Sequence, residues 1–232
     1  MRILKIILRF IFRLFLALFA FTILWVLSYK FINPPFTPFM LVKYLQNQEG
    51  QSIQKKWVKM EKIHPNLPLA VIAAEDQRFF EHNGFDLEAI KEAVEYNKKH
   101  GKTRGASTIS QQTAKNVFLI PSRTYFRKGL EVYFTFLMEL LWSKKRIMEV
   151  YLNVMEQGEN IYGASASAAV HFSKEPSKLT RSEAALMAAV LTNPIKFKVA
   201  SPSAYVTRRK VWVLGQMSNL GGTSFVERLY EN

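Results

Sequence analysis

At 232 residues, with no cysteine and 32 basic against 18 acidic side chains, the chain is one domain of ordinary size plus whatever its N-terminus adds. The missing cysteine excludes a disulfide framework and a thiolate metal site. A net charge of +14 calls for an anionic partner: nucleic acid, anionic lipid or a phosphate-bearing substrate.

The N-terminus narrows that choice. Leu14 to Tyr29 is an uncharged run of Leu, Phe, Ala, Ile, Trp and Val. With Phe10, Ile11 and Phe12 before Arg13, and Phe31 and Ile32 after Lys30, it reaches membrane-spanning length at 1.5 Å per residue. Arg13 lies near one end, where it can snorkel to the headgroups. Arg2, Lys5, Arg9 and Arg13 precede the apolar centre, and no acidic residue occurs before Glu49. The positive-inside rule therefore predicts a cytoplasmic N-terminus and export of everything after Lys30. A cleaved signal peptide is the rival, but the exit Ser28-Tyr29-Lys30-Phe31 lacks the small-x-small pattern. Without the five basic residues of positions 1–32 the remainder still carries +9 of the total +14. A soluble nucleic-acid-binding reading would have to explain the anchor away, so nucleic acid is not the expected partner.

Beyond the anchor, Asn33-Pro34-Pro35-Phe36-Thr37-Pro38 cannot continue a helix and predicts a short stiff linker. Phe39 to Leu45 suits a short helix beside the membrane, and Trp57 to Ile63 an irregular or strand-like entry. Residues 1–32 are thus expected to be the anchor, 33–64 the linker and membrane-proximal segment, and 65–232 the globular domain. A helix is predicted from about Leu69 to Phe80, with Leu69, Val71, Ile72, Ala73 and Ala74 facing a core. Phe85 to Val94 is an amphipathic helix with Asp86 as its cap. Tyr96 to Gly105 is basic, polar and closed by glycines, and predicts a loop. Thr108 to Asn116 should be helical, with Lys115 close to its end.

Arg127 to Trp142 is the most lipophilic part of the domain, broken only by Glu131, Thr135 and Glu139. It reads as a buried core helix, or as one flank touching the bilayer. Lys144-Lys145-Arg146 opens another amphipathic helix and is most simply a solvated face, with anionic lipid as a second option. Tyr162 to Val170 is rich in small residues. Thr180 and Glu183 form a capping box ahead of Ala184 to Leu191. Ser201-Pro202 opens a last long helix that Gly221-Gly222 stops. No alternating strand run occurs, so the fold is expected to be nearly all-α.

Two polar segments carry the chemistry. Glu75-Asp76-Gln77-Arg78-Phe79-Phe80-Glu81-His82-Asn83-Gly84 sets two carboxylates beside aromatic rings, where desolvation raises a carboxyl group toward the range of a general base. A cap or salt-bridge role fits those acids poorly, because they lie where the helix dipole disfavours them. About twenty residues later, Arg104 to Asn116 is polar, mostly uncharged, and ends on Lys115-Asn116. Glu131, alone, reads as a salt-bridge residue. No His, Asp or Glu cluster has chelating spacing, and His82 reads as a hydrogen-bonding residue rather than a metal ligand.

Taken together these blocks resemble the peptidoglycan glycosyltransferases, specifically the monofunctional membrane-anchored kind. The first block matches at Glu75, Asp76, Phe79, His82 and Gly84. The second matches at Gly105, Ser107, Thr108, Ile109, Gln111, Gln112, Lys115 and Asn116. A third is Arg127, Lys128 and Glu131, and a fourth is Lys145, Met148, Glu149, Tyr151, Leu152 and Asn153. His171-Phe172 departs from the family's usual aromatic pair. The resemblance implies a lysozyme-like helical domain that polymerises lipid II at the outer face of the bacterial inner membrane. It places the general base on Glu75 and a second essential acid on Glu131. Lys115 and Arg123, with Arg127 and Lys128 close in sequence, would stabilise the departing pyrophosphate. Gln111, Gln112, Ser107 and Thr108 would offer neutral donors to sugar and phosphate oxygens, and Ser107 or Thr108 also suits a helix cap. A divalent cation, Mg or Mn, is the one cofactor the resemblance admits, with ligands unassigned. The implied partners are lipid II, the growing glycan, the bilayer, and proteins of cell-wall synthesis or division. A lysozyme-like hydrolase and a non-catalytic cell-wall scaffold are the alternatives. A transpeptidase module is not expected, since no Ser-x-x-Lys occurs with its associated triads.

Overall fold

The computed structural model describes residues 2–46, 52–101 and 105–231. Arg104 of the second polar segment lies outside the described residues. Helices dominate, as composition and periodicity predict. The first, α1 (Arg2–Phe31), is apolar on nearly every face and is the one helix among the described residues long and apolar enough to cross a membrane. Asn33-Pro34-Pro35 ends it, and α2 (Pro38–Gln46) follows.

The domain is built around α3 (Asn66–Glu75), whose residues Leu67 to Ala73 are all buried. A helix apolar all round has no solvent face to offer, so it becomes the axis of the core. It packs on α9 (Arg181–Ala189) and α10 (Ala204–Asn219). A second layer is α5 (Ile109–Phe118) against α6 (Tyr125–Leu141) and α7 (Lys144–Val154). α8 (Gly163–Phe172) packs on α7, while α4 (Leu87–His100) lies at the surface with Ala93 its one buried residue. The expected all-α fold holds, and the arrangement is consistent with a lysozyme-like helical domain behind the anchor.

Four local expectations are corrected. The helix predicted to reach Phe80 ends at Glu75, because Asp76 adopts φ −162°, ψ 75° and its carboxylate is drawn to a neighbouring helix. The loop predicted from Tyr96 begins only after His100, where Gly101 at φ 61° supplies the left-handed cap. Lys144-Lys145-Arg146 is not a solvated face. Lys144 donates to the His82 carbonyl at 2.6 Å and to Glu139 at 2.8 Å, Lys145 pairs with Glu61 at 3.0 Å, and Arg146 pairs with Glu149 at 2.6 Å. Tertiary partners claim all three. A small three-stranded sheet also forms from β1 (Gln54–Lys55), β2 (Glu156–Gly158) and β3 (Ile161–Tyr162), in the order β1-β3-β2. Its strands are too short to show an alternating pattern.

The last third of α1 is docked on the domain. Val26 is fully buried, and its carbonyl accepts the Trp142 indole N–H at 2.9 Å. The Thr22 and Tyr133 hydroxyls meet at 2.7 Å. Trp25 lies edge-on to Phe118 and Phe134. At the helix end the Arg146 guanidinium donates to the Tyr29 and Ile32 carbonyls, both otherwise orphaned at a helix C-terminus. One face of α6 supplies the aromatic seat through Phe134, with Leu137 and Met138 also buried. The opposite face, with Val132, Phe136 and Leu140, is exposed, as is Phe126 at its start.

A chain truncated before Asn33 is expected to keep its helical domain but unfold several degrees lower in detergent than the full chain. It loses the acceptors of Trp142 and Arg146 and uncovers Phe118. Coincident thermal unfolding curves for the two proteins would show that α1 adds nothing to the folded unit.

Candidate active site

The site begins where α3 ends. Glu75 is the last residue of that helix, and the chain leaves it at Asp76. One oxygen of the Asp76 carboxylate accepts the backbone N–H of Ile109 at 3.0 Å, the first residue of α5. The other accepts His82 Nε2 at 2.9 Å. The anion thus sits at a helix N-terminus, where unpaired N–H groups and the dipole favour it. His82 Nδ1 accepts the Gly84 N–H at 3.1 Å, which leaves Nε2 as the proton donor to Asp76. Gly84 has φ 87°, and a Cβ there would lie 2.7 Å from Thr135, so only glycine fits this turn. The Thr108 hydroxyl donates to the Gly84 carbonyl at 2.7 Å. Thr108 also forms a capping box with Gln111 at the start of α5. Beneath the turn, Lys144 lies 4.6 Å from the centroid of the buried Phe79 ring.

This scaffold sets Glu75 against α5. Gln112 Nε2 donates to Glu75 Oε2 at 2.7 Å, and the Tyr151 hydroxyl on α7 donates to Gln112 Oε1 at 3.2 Å. Burial raises the Glu75 carboxyl above its ordinary value, opposed by the Gln112 bond and by the charges of Arg209 and Lys115. Glu75 lines a cleft of about 950 Å³ together with Asp76, Arg78, Ser107, Thr108, Gln112, Tyr205, Arg209 and others.

The predicted cations lie elsewhere along α5 and α6. Lys115, one turn beyond Gln112, is close enough to Glu75, Arg127, Glu131 and Glu156 to feel their charges, and burial lowers its pKa. Its ammonium sits 5.9 Å from the centre of the Phe39 ring on α2. Glu131 is 3% exposed; Arg127 holds one of its oxygens at 2.6 Å and Lys128 the other at 2.5 Å. Arg123 is exposed in the connection between α5 and α6. Two zones therefore meet at Glu75: the cleft on one side, and on the other a basic zone on the helices that α1 and α2 pack against.

Not every predicted site residue faces these zones. Gln111 is buried, and its carbonyl accepts the Thr108 N–H at 3.0 Å within the cap. Asn116 is buried on α5. Asn153 is fully buried and hydrogen-bonds both backbone groups of Val58 at 2.8 Å, tying α7 to the segment before α3. Arg209 was not singled out by its sequence. It donates to the Ala74 carbonyl at 2.9 Å and stacks 4.1 Å from the Trp212 ring centre. The Nε atoms of Arg209 and Arg127 are buried without a hydrogen-bond partner among the described residues. Such a donor costs about 1–3 kcal/mol unless something binds it. The basic run Arg208-Arg209-Lys210 was the available signal, but helix periodicity alone does not say which of three cations turns inward.

Folding also brings together a group that spacing did not reveal. Ligand atoms of Asp76, His82 and Asp86 lie within 4.8 Å of one another. The donor set does not suit a metal. Asp76 and His82 are spent on each other and on backbone N–H groups, and Asp86 caps α4 through the Ala89 N–H at 2.9 Å with Arg78 3.6 Å away. Glu131, its two oxygens held by cations, is no better placed.

Comparison with known proteins decides the family. Residues 42–218 match the Transglycosylase family. The chain belongs to the biosynthetic peptidoglycan transglycosylase family. It is 50% identical over 210 residues to a biosynthetic peptidoglycan transglycosylase of Shewanella oneidensis, covering 90% of each chain. A relative of the same description from Bacteroides thetaiotaomicron is 51% identical over 217 residues, covering 92% of this chain and 88% of that one. One from Haemophilus influenzae is 49% identical over 226 residues, with 95% and 90% covered. The chain is therefore a glycosyltransferase of peptidoglycan synthesis, and its α1 is consistent with the single membrane anchor of such a transglycosylase.

Replacing Asp76 by Asn in this transglycosylase domain puts an NH₂ group opposite either the Ile109 N–H or the His82 Nε2–H. The expected loss of stability is about 1–3 kcal/mol, the cost of an unsatisfied buried donor. Chemical unfolding of the purified variant in detergent measures it. A midpoint equal to the parent's would show that Asp76 does not join α3 to α5.

Proposed function

We propose that the chain polymerises lipid II into glycan strands by a single inverting displacement, with Glu75 as general base. The observation that carries this reading is the position of Glu75 between the cleft and the basic zone. The acceptor GlcNAc lies in the cleft and gives its 4-hydroxyl proton to Glu75. The freed oxygen attacks the anomeric carbon of MurNAc as the bond to undecaprenyl pyrophosphate breaks, and the electron pair leaves with the pyrophosphate. Configuration inverts and a β-1,4 bond forms.

Electrostatics supports each part. A carboxyl raised by burial yet held by an N–H donor is a better proton acceptor than an exposed one and keeps a partner for its ionised form. Lys115 and the Arg127–Lys128–Glu131 cluster supply positive charge suited to the negative charge that grows on a leaving pyrophosphate. A retaining route would need a second free carboxylate as nucleophile. Asp76 and Glu131 both have their two oxygens bound, which favours the one-step displacement. A hydrolase acting on a neutral sugar leaving group would have no use for the buried cations.

The anchor fits a lipid-borne donor. The basic zone lies on α5 and α6, against which α2 and α1 pack, so the pyrophosphate is met close to the bilayer surface. Val132, Phe136 and Leu140 of α6 are exposed apolar side chains, and we take this flank to be sunk in the outer leaflet. The N-terminus then lies in the cytoplasm and the domain on the extracytoplasmic face, as the basic residues before the apolar run require.

Glu75→Gln keeps shape and loses only the proton acceptor, so polymerisation should fall ~10²–10⁴-fold with the fold intact. Glycan synthesis from lipid II within about threefold of the parent would contradict the assignment. Lys115→Ala should lower kcat more than it raises KM, because its charge is matched to the leaving group in the transition state. Steady-state polymerisation kinetics separate the two parameters, and a change in KM alone would remove Lys115 from the chemical step.

A further inference from the structure

Gln112 is a lever with two unlike ends. Its NH₂ group facing a carboxyl stabilises the ionised form; its carbonyl oxygen in the same place would oppose ionisation and favour the acid. Nothing in the glutamine itself chooses between these orientations. The choice is made at the far end, where the Tyr151 hydroxyl donates to Gln112 Oε1 at 3.2 Å while Gln112 Nε2 donates to Glu75 Oε2 at 2.7 Å.

Tyr151 is suited to hold that end. It is 1% exposed, on the wall of α7 that packs on α5. Its buried hydroxyl needs an acceptor, and the amide oxygen supplies one. Burial, with the neighbouring charges of Glu75 and Asp76, pushes the phenol well above its ordinary value, so it remains a donor throughout the working pH range. The ring packs in the core while the oxygen reaches out to the base by way of one side chain.

We propose that Tyr151 is a positioning residue for the glycosyl transfer: its hydroxyl latches the Gln112 amide with the NH₂ end toward Glu75, and so keeps the base ionised and aimed. The inference rests on the reading of Glu75 as the base. Three other charges face Glu75: Arg209 from α10, Lys115 from α5, and Asp76 next in the chain. None is altered by removing the Tyr151 hydroxyl. Without the latch the amide can turn its oxygen to the protonated carboxyl without stranding a buried hydroxyl proton, so the acid form gains a partner and Glu75 holds its proton to higher pH.

Tyr151→Phe in the full-length protein tests this, because it keeps the buried ring and deletes one oxygen. The acid limb of kcat/KM for lipid II polymerisation should move up by about one pH unit, a ~10-fold loss below the limb that shrinks as pH rises. A purely structural defect would instead lower the rate by one factor at every pH with the titration of Glu75 itself unmoved, and that result overturns the proposal. Gln112→Met, which removes the lever, should shift the limb in the same direction, and the double variant should shift it no further. Additive shifts in the double variant also overturn the latch.

Difference infrared titration of the Glu75 carboxyl, assigned by its disappearance in Glu75→Gln, gives a readout independent of turnover. An upward shift of this titration in Tyr151→Phe supports the latch even where the rate profile stays put; that combination would tell against Glu75 as the base instead. An unmoved titration in a folded Tyr151→Phe protein overturns the latch whatever Glu75 does.

Discussion

The Asp76 carboxylate holds the rest of the site in place. It breaks α3 one residue after Glu75, accepts the first N–H of α5, and accepts the proton of His82. Each bond is charge-assisted and buried, the class worth about 1.5–3 kcal/mol. The His82 bond continues through Gly84 to the Thr108 hydroxyl, so the whole turn from 76 to 84 is cross-linked to the cap of α5. With the end of α3 fixed against the start of α5, Glu75 and Gln112 have no choice but to meet. Glu75 is placed by backbone geometry rather than by its own packing.

A second constraint fixes how the helices around Glu75 sit on α1. The anchor is seated on α6 and α7 by the Trp142 indole, the Arg146 guanidinium and an aromatic layer around Phe118. Both α5 and α6 therefore stand in fixed relation to α1, and the cations they bear with them. An enzyme whose donor is confined to a bilayer gains from that rigidity, because the approach of the lipid headgroup is limited to one direction. A loose tether would supply effective concentration but not orientation.

Much of this was legible in the sequence, for identifiable reasons. Long periodic segments gave the helices, and the Thr180–Glu183 box and the Asp86 cap appear where their residue types predict. The ends were read less well. The α3 stop at Glu75 depends on the hydrogen bond that the next residue, Asp76, accepts from Ile109, 33 residues beyond Asp76, which local pattern does not contain. The α4 helix ran on through polar Tyr96 to His100 because Gly101, not polarity, ends it. Among the site residues, the two blocks gave Glu75, Asp76, His82 and Gln112 but not their division of labour. Thr108 caps α5, a role its residue type also suits in sequence, and it still lines the cleft, while Gln111 completes that capping box. Arg209 and Tyr151 reach Glu75 from α10 and α7, and only the packing of those helices on α3 and α5 brings them there.

A bound donor analogue tests directly whether the two zones meet at Glu75. A structure of the full chain with a lipid II analogue whose pyrophosphate linkage resists displacement should place the phosphate oxygens within about 4 Å of the Lys115 ammonium and the Arg127 guanidinium. The sugar should then extend toward Glu75 and the cleft beyond it. A pyrophosphate seated instead among Arg78 and Arg209, with Lys115 and Arg127 untouched, would contradict the account.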